Sequence, residues 1–291
     1  MLQEIDLAPI GRRHRVFIYQ IFYDEQTKIQ LDPGFIPLKN IKPERPDWYE
    51  YWPIRSTLLD GNFDDEDYLG FFSPRFSDKT RLSSVQVDAC LANSKSDVIS
   101  FSPYFDFNAL YPNSFHQGEE YHPGFLQISQ DALRYLAVDL DLMEMVQDQT
   151  RIIFSNYFVA KFRFWKRWLE LTEQIFALCE TGDSILAQRL NTATTHRQTV
   201  SYSMKIFLIE RLVSVLLEVM RTEAEIGVDL ARAPLSLRGA DKALGNLVVL
   251  DALKGQYIKT KSAIYRNLYI VQRQNIGRLL SEAARQPSAA L

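Results

Sequence analysis

Three observations predict an α/β fold: a mostly parallel sheet flanked by helices, with a helical region at the carboxyl end. Short continuous apolar runs rich in β-branched and aromatic residues, such as 16–23 (VFIYQIFY), read as strands buried on both faces, which is the habit of parallel sheets. Helical stretches alternate with these runs as far as Gly182, as crossover connections require. Beyond Gly182 the strand runs stop and long apolar helical patterns take over. A chain of 291 residues suits one large domain or one domain with an appendage, and the change of character divides it into a sheet-bearing core, 1–200, and a helical region, 201–291.

The first strand ends at Asp24-Glu25. Ahead of it, a basic cluster leads into a short apolar run broken by Gln20, with no small-residue cleavage site, so the amino terminus is read as the start of a strand and not as a signal peptide. The Pro-rich stretch that follows holds a short strand at 35–38 and a helix from Trp48, capped by Asp47, that Pro53 must end, kink or restart. Residues 68–72 (YLGFF) are a strand after the acidic turn 64–67, 83–92 are helical in pattern, and 97–102 return to strand. The segment PYFDFNALYPNSFHQGEEYHPG is aromatic and polar without a period, which is how a functional loop looks. Gly124 leads into a helix to about Leu136, and a strand over 152–160 precedes a helix over 162–179. Ser155 and Asn156 interrupt that strand with polar groups. An unpaired buried polar group costs roughly 1–3 kcal/mol, so a ligand or a hydrogen-bond network should meet Asn156. An apolar helix spans 203–221, a loop-rich junction 231–245, and helical patterns continue over 251–284.

A formal charge of -3 and a pI near 5.9 argue against bulk nucleic-acid binding, which needs a basic face, although the carboxyl-terminal third is richer in Lys and Arg. Cys90 and Cys179 form no Cys-x-x-Cys pair, which suits a reducing compartment and excludes a disulfide framework. No segment approaches the ~18–20 uncharged apolar residues of a membrane span, so a soluble, cytoplasmic protein is expected.

Several side chains have chemistry to offer. Asp106, past the 97–102 strand, is placed to bind a divalent cation or act as a base, or else it is a turn or cap residue. His116, Glu119, Glu120 and His122 crowd one segment, where hydrogen bonding to sugar hydroxyls, a metal site and a solvated loop are the alternatives. Arg75 leaves a strand end, as a bidentate phosphate or carboxylate clamp does, and a surface ion pair is the other reading. The acidic run 64–67 is read as a solvated turn, and Trp165 and Trp168 as core. Glu210-Arg211 interrupts an apolar helix, so the pair either pins two helices together or brings Glu210 to a pocket.

Three blocks in one order, YLGFFSPRF, FSNYFVAKFRFWKRWLEL and FLIERLVSVLL, resemble bacterial cell-surface polysaccharide glycosyltransferases of GT-A type. They are most similar to a group that shares a domain of unknown function in lipopolysaccharide and capsule clusters. The matching positions are Gly70 and Arg75, then Asn156 and Lys161, then Glu210 and Arg211. The group's His-Tyr-Arg-Arg strand ending is here Ser-Pro-Arg and no Asp-x-Asp is present, so a Mn²⁺- or Mg²⁺-assisted reaction through Asp106 and a metal-independent one both stay open. The resemblance implies a GT-A-like, Rossmann-like core that moves sugar from a nucleotide-sugar donor to a glycan or lipid-linked glycan acceptor. Transfer would take place at the inner face of the cytoplasmic membrane, with the basic carboxyl-terminal helices as a peripheral membrane or partner contact. Tyr19, Tyr23, Asp24, Arg55, Arg75 and Lys161 would hold the donor, Asn156, Glu119 and His122 the acceptor, and Asp106, Glu210 and His116 would serve catalysis. A non-catalytic sugar- or nucleotide-binding subunit of an assembly complex is the alternative. An α/β hydrolase is a third reading, but no Gly-x-Ser-x-Gly elbow is present.

Overall fold

The computed structural model describes residues 14–196 and 200–285. The absence of a signal peptide concerns 1–13 and lies outside them. Strand β1 (Val16–Phe22) leads through helix α1 (Glu25–Ile29), capped by Asp24, to strand β2 (Ile36–Lys39). A 3-10 turn over Pro46–Trp48 precedes α2 (Tyr51–Asp60), and β3 (Tyr68–Phe72) follows. Next come α3 (Phe76–Thr80), α4 (Ser84–Asn93) and β4 (Val98–Ser100), then α5 (Phe105–Leu110), α6 (Ser114–Tyr121) and α7 (Phe125–Tyr135). Strand β5 (Phe158–Lys161) runs directly into α8 (Phe162–Thr181), which α9 (Ile185–Asn191) and the hairpin β6 (Ala193–His196) and β7 (Val200–Ser203) follow. The chain ends with α10 (Met204–Val219), β8 (Glu225–Ile226), α11 (Leu244–Thr260) and α12 (Ala263–Arg285).

Six strands form a mixed sheet in the order β2-β1-β3-β5-β4-β8. Its pairings are parallel except around β5, which is antiparallel to both β3 and β4. The architecture is therefore α/β, a mostly parallel sheet flanked by helices and compatible with a Rossmann-like fold.

Alternation along the strands supplies the two faces. Leu69 and Phe71, Phe158 and Ala160, Ile21 and Val98 point to one side, where α2, α7, α8, α9 and α10 cover them. Ile18, Tyr68, Phe72, Ile99, Tyr157 and Val159 point to the other, under Phe76 of α3 and Val87 and Leu91 of α4. Trp165 and Trp168 are core as expected, and the Trp165 indole N–H donates to the Leu69 carbonyl at 2.9 Å. Gly70 lets β5 approach, since a Cβ there would lie 2.8 Å from Val159 Cγ2. A third cluster joins α5, α11 and α12 to Ile152 and Phe154. Residue 200 does not separate core from appendage, because α10 lies in the main core and β8 extends the sheet.

Five local expectations are corrected. The strand foreseen over 152–160 forms only at Phe158–Lys161; Ser155 adopts a left-handed backbone (φ 58°), which breaks the extended run. The segment foreseen as a loop folds into α5 and α6, the latter begun by Asn113, whose side chain accepts from the Phe115 and His116 amides. Asp47 sits inside the 3-10 turn and caps nothing, and Pro53 lies in the first turn of α2, where its missing N–H is tolerated. The acidic turn is solvated at Asp64 and Asp65 as expected but not at Asp67, which is buried and accepts from the Arg15 backbone and side chain. The helical pattern over 251–284 is two helices, parted at Lys261 with φ 55°.

Candidate functional site

The order β2-β1-β3 means that the chain leaves β1 toward one edge and returns on its other side, and the loops that leave β1 and β3 diverge there. Open α/β sheets bind ligands in that crevice, beyond the carboxyl ends of the strands. A cavity of about 930 Å³ occupies it here, lined by Tyr23 just after β1, Ser73 just after β3 and Tyr104 beyond β4. Antiparallel β5 presents its amino-terminal end on this side, so Ser155, Asn156 and Tyr157 also face the cavity. The volume is that of a small-molecule site.

The chemistry centres on Glu50, which the 3-10 turn and Tyr49, with φ 47°, deliver to the cavity. The Tyr23 hydroxyl donates to Glu50 Oε1, and Asn156 Nδ2 donates to Oε2 at 3.3 Å. Burial raises the Glu50 carboxyl above the usual carboxylate range and the Glu210 charge adds to the rise, while the Tyr23 and Asn156 hydrogen bonds and the Lys79 charge oppose it. Glu210, on α10, lines the same cavity and accepts from the Ser155 amide at 2.7 Å. The left-handed turn at Ser155 thus aims a backbone donor at one carboxylate and the Asn156 amide at the other. Lys79 completes this wall with its ammonium 5.2 Å from the centre of the Tyr157 ring, and the Tyr157 hydroxyl shares a 2.6 Å hydrogen bond with Ser73.

The facing wall is aromatic. His122 is buried and stacked on Phe207 at 4.0 Å, and its Nδ1 lies 3.3 Å from Thr194 Oγ1 on β6. Tyr202, from β7, packs against Tyr49 at 4.6 Å, and Phe107 and Tyr121 close the side toward α5 and α6. Arg211 fixes this wall: its guanidinium is buried and donates to Ser114 O, Phe207 O and Gln117 Oε1. The two readings of Glu210-Arg211 are therefore divided between the residues, Arg211 pinning α10 to α6 and Glu210 facing the cavity.

Of the residues proposed from the sequence for donor, acceptor or catalysis, Tyr23, Asn156, His122 and Glu210 meet in the cavity. The others lie elsewhere. Lys161 sits at the opposite end of the sheet, paired with Glu66 at 2.9 Å and Asp97 at 3.2 Å, because β5 runs antiparallel. Arg55 forms a two-bond pair with Glu173 on α8. Tyr19 stacks on Phe71 in the sheet, and Asp24 caps α1. Glu119 accepts from the Gly124 and Leu126 amides at the start of α7, and His116 Nε2 approaches the Met143 carbonyl at 3.4 Å, with burial holding the imidazole below its usual pKa. Arg75 is exposed at the start of α3, outside the lining, yet its charge acts on Tyr157.

Asp106 lies apart from the cavity. Its Oδ2 accepts from the Ser236 and Leu237 amides at 2.7 and 2.6 Å, tying the junction before α11 to α5, and its side chain is buried outside the cavity lining. Among the described residues no group of three His, Cys, Asp or Glu side chains is gathered as a metal site. Glu50, Ser73, Lys79, Tyr104, Gln117, Tyr157, Tyr202 and Phe207 are among the cavity residues that sequence reasoning missed. The one signal for Glu50 was a lone carboxylate among aromatics in Trp48-Tyr49-Glu50-Tyr51-Trp52. Comparison of the chain with protein-family models, curated proteins and solved structures finds no match.

Proposed function

We propose that the chain is a glycosyltransferase with a GT-A-like core, which moves a sugar from a nucleotide-sugar donor to a growing surface polysaccharide or lipid-linked oligosaccharide at the inner face of the cytoplasmic membrane. The observation that carries this reading is the cavity at the strand-order reversal, where Glu50, with its raised pKa, is oriented by Tyr23 and Asn156 and faced by aromatic rings. Tyr104, Tyr202 and Phe207 offer flat apolar faces to a nucleotide base or sugar ring. In the transfer, an acceptor hydroxyl gives its proton to Glu50 as its oxygen bonds to the anomeric carbon. The bond from that carbon to the donor's diphosphate breaks, and the electron pair leaves with the diphosphate. Lys79, in the lining, and Arg75, at its rim, supply positive charge for that leaving group. Glu210 and Gln117 are placed to hold sugar hydroxyls.

A thermal-shift panel of nucleotide sugars tests the reading. One donor should raise the melting temperature by several degrees, as mass action requires of a ligand well above its Kd. Glu50→Gln should keep that shift and lower transfer, or slow donor hydrolysis, by about 100- to 10,000-fold. If nothing in the panel shifts melting, the donor site is not here. A shift without turnover in the unaltered protein would make the chain a non-catalytic binding subunit instead.

A further inference from the structure

Helix α12 carries two apolar stripes, one buried and one exposed. Tyr269, Ile276 and Leu280 face inward and are buried, with the Tyr269 hydroxyl donating to the Leu110 carbonyl. Ile264, Leu268, Val271 and Leu279 follow helical spacing along the other side and are 69, 46, 52 and 53% exposed. An amphipathic helix that has already buried one apolar stripe has no internal use for a second. Helix α11 repeats the arrangement: Leu247 and Leu250 are buried, whereas Leu244, Val248 and Val249 stand about half exposed. Exposed apolar residues scattered singly mean little, but two adjoining helices that both carry them outward mark a contact surface.

Charge identifies the occupant. Residues 244–285 contain seven Lys and Arg against two Asp and Glu in a chain whose total is -3; Lys254 among them is buried and Arg266 is paired with Glu144, so the outward charge rests on other cations. Lys259 and Lys261 lie exposed where α11 turns into α12, and exposed Arg278 neighbours Leu279 on the outward side. A second copy docking through this face would set cation against cation. No described helix is long and apolar enough to cross a membrane. A cationic helix with an outward apolar stripe too narrow to span a bilayer lies in the plane of its surface.

We propose that the outward face of α11 and α12 docks on an anionic phospholipid surface, with Ile264, Leu268 and Val271 among the acyl chains and Lys259, Lys261 and Arg278 at the headgroups. The proposed function enters only in choosing the membrane face; the surface itself is argued without any sugar transfer. Vesicle flotation of the full chain tests it. Binding to phosphatidylcholine vesicles doped with phosphatidylglycerol should exceed binding to phosphatidylcholine alone and fall as salt is added. Lys259→Ala and Lys261→Ala should each weaken it roughly fivefold. Leu268→Asp, at an exposed position, should leave melting unchanged and lower binding at least as much. Equal binding to both vesicle types, no binding, or full binding by Leu268→Asp would each overturn the proposal. So would a dimer, seen by sedimentation, that Leu268→Asp dissociates, since the face would then join two copies. The nucleotide-sugar panel is run without vesicles, so failure here and failure of the transferase reading are told apart.

Discussion

Glu50 is a carboxylate at the wall of the cavity. Its carboxyl is desolvated, faces a second carboxylate and is held by two neutral donors, so folding favours its protonated form. The sign follows from proton linkage: a carboxyl whose pKa rises on folding contributes its full share below the ordinary pKa and loses it as pH climbs through the raised one. Glu50→Gln keeps the shape and removes the titration. The variant should therefore melt higher than the unaltered protein near neutral pH, and the gap should close below the ordinary carboxylate range; an equal gap at both pH values would refute the desolvation account. The acid limb of the transfer rate should sit at the raised pKa, because the base must be ionised to accept a proton. The sequence foretold half of this network. Ser155 and Asn156 stand out as polar groups in an apolar run, and Asn156 does meet a partner. That partner was hidden, since Glu50 reaches the cavity through a 3-10 turn and a positive-φ tyrosine, which leave no hydrophobic period to read.

Strand direction decided which residues reached the site. The run into α8 was recognisable as a strand, but nothing in its composition says that it opposes its neighbours. Reversal carries Asn156 to the carboxyl ends of β1 and β3 and Lys161 to the far edge, although the two are five residues apart. Glu119 and Asp106 lie outside the cavity for a related reason: each accepts from the amides of a neighbouring segment, a role fixed by tertiary placement. Helix α11 adds a case that periodicity does not announce. Lys254 is fully buried and its ammonium donates to the carbonyls of Asn108 and Tyr111, which end α5. Burial pulls its pKa down to about 7 from 10.5, against the opposing charge of Asp251. A lysine whose pKa falls on folding contributes stability above its unfolded pKa and loses it as pH drops toward the folded one. Urea unfolding should therefore show stability rising from pH of about 7 to 10.5. Lys254→Met should remove that rise; a slope surviving in the variant would place the titration elsewhere.

At the scale of the molecule, the apolar clusters divide the work. Two cover the faces of the sheet and include α8 and α10; the third gathers α5, α11 and α12 with Ile152 and Phe154. Helices α11 and α12 pack on each other and α11 on α5, so their principal anchors are Leu247, Leu250, Tyr269, Ile276 and the Lys254 and Asp106 ties. An element held through so few neighbours opens at a lower free energy than the sheet. Native-state hydrogen exchange in rising denaturant should therefore show α11 and α12 exchanging in a unit below the global transition, while β3 and β5 exchange only with it. Leu250→Ala, a buried truncation worth about 2–5 kcal/mol, should lower both free energies, because global unfolding includes this unit, whereas Leu69→Ala in β3 should lower only the second. Because Tyr104, Phe107 and Phe154 belong to both this cluster and the cavity wall, the donor that shifts melting should also slow exchange in α11. One coincident transition for all elements, in unaltered and Leu250→Ala protein alike, would show instead that the chain unfolds as a single unit. The hairpin of α11 and α12 would then be as much core as the sheet it adjoins.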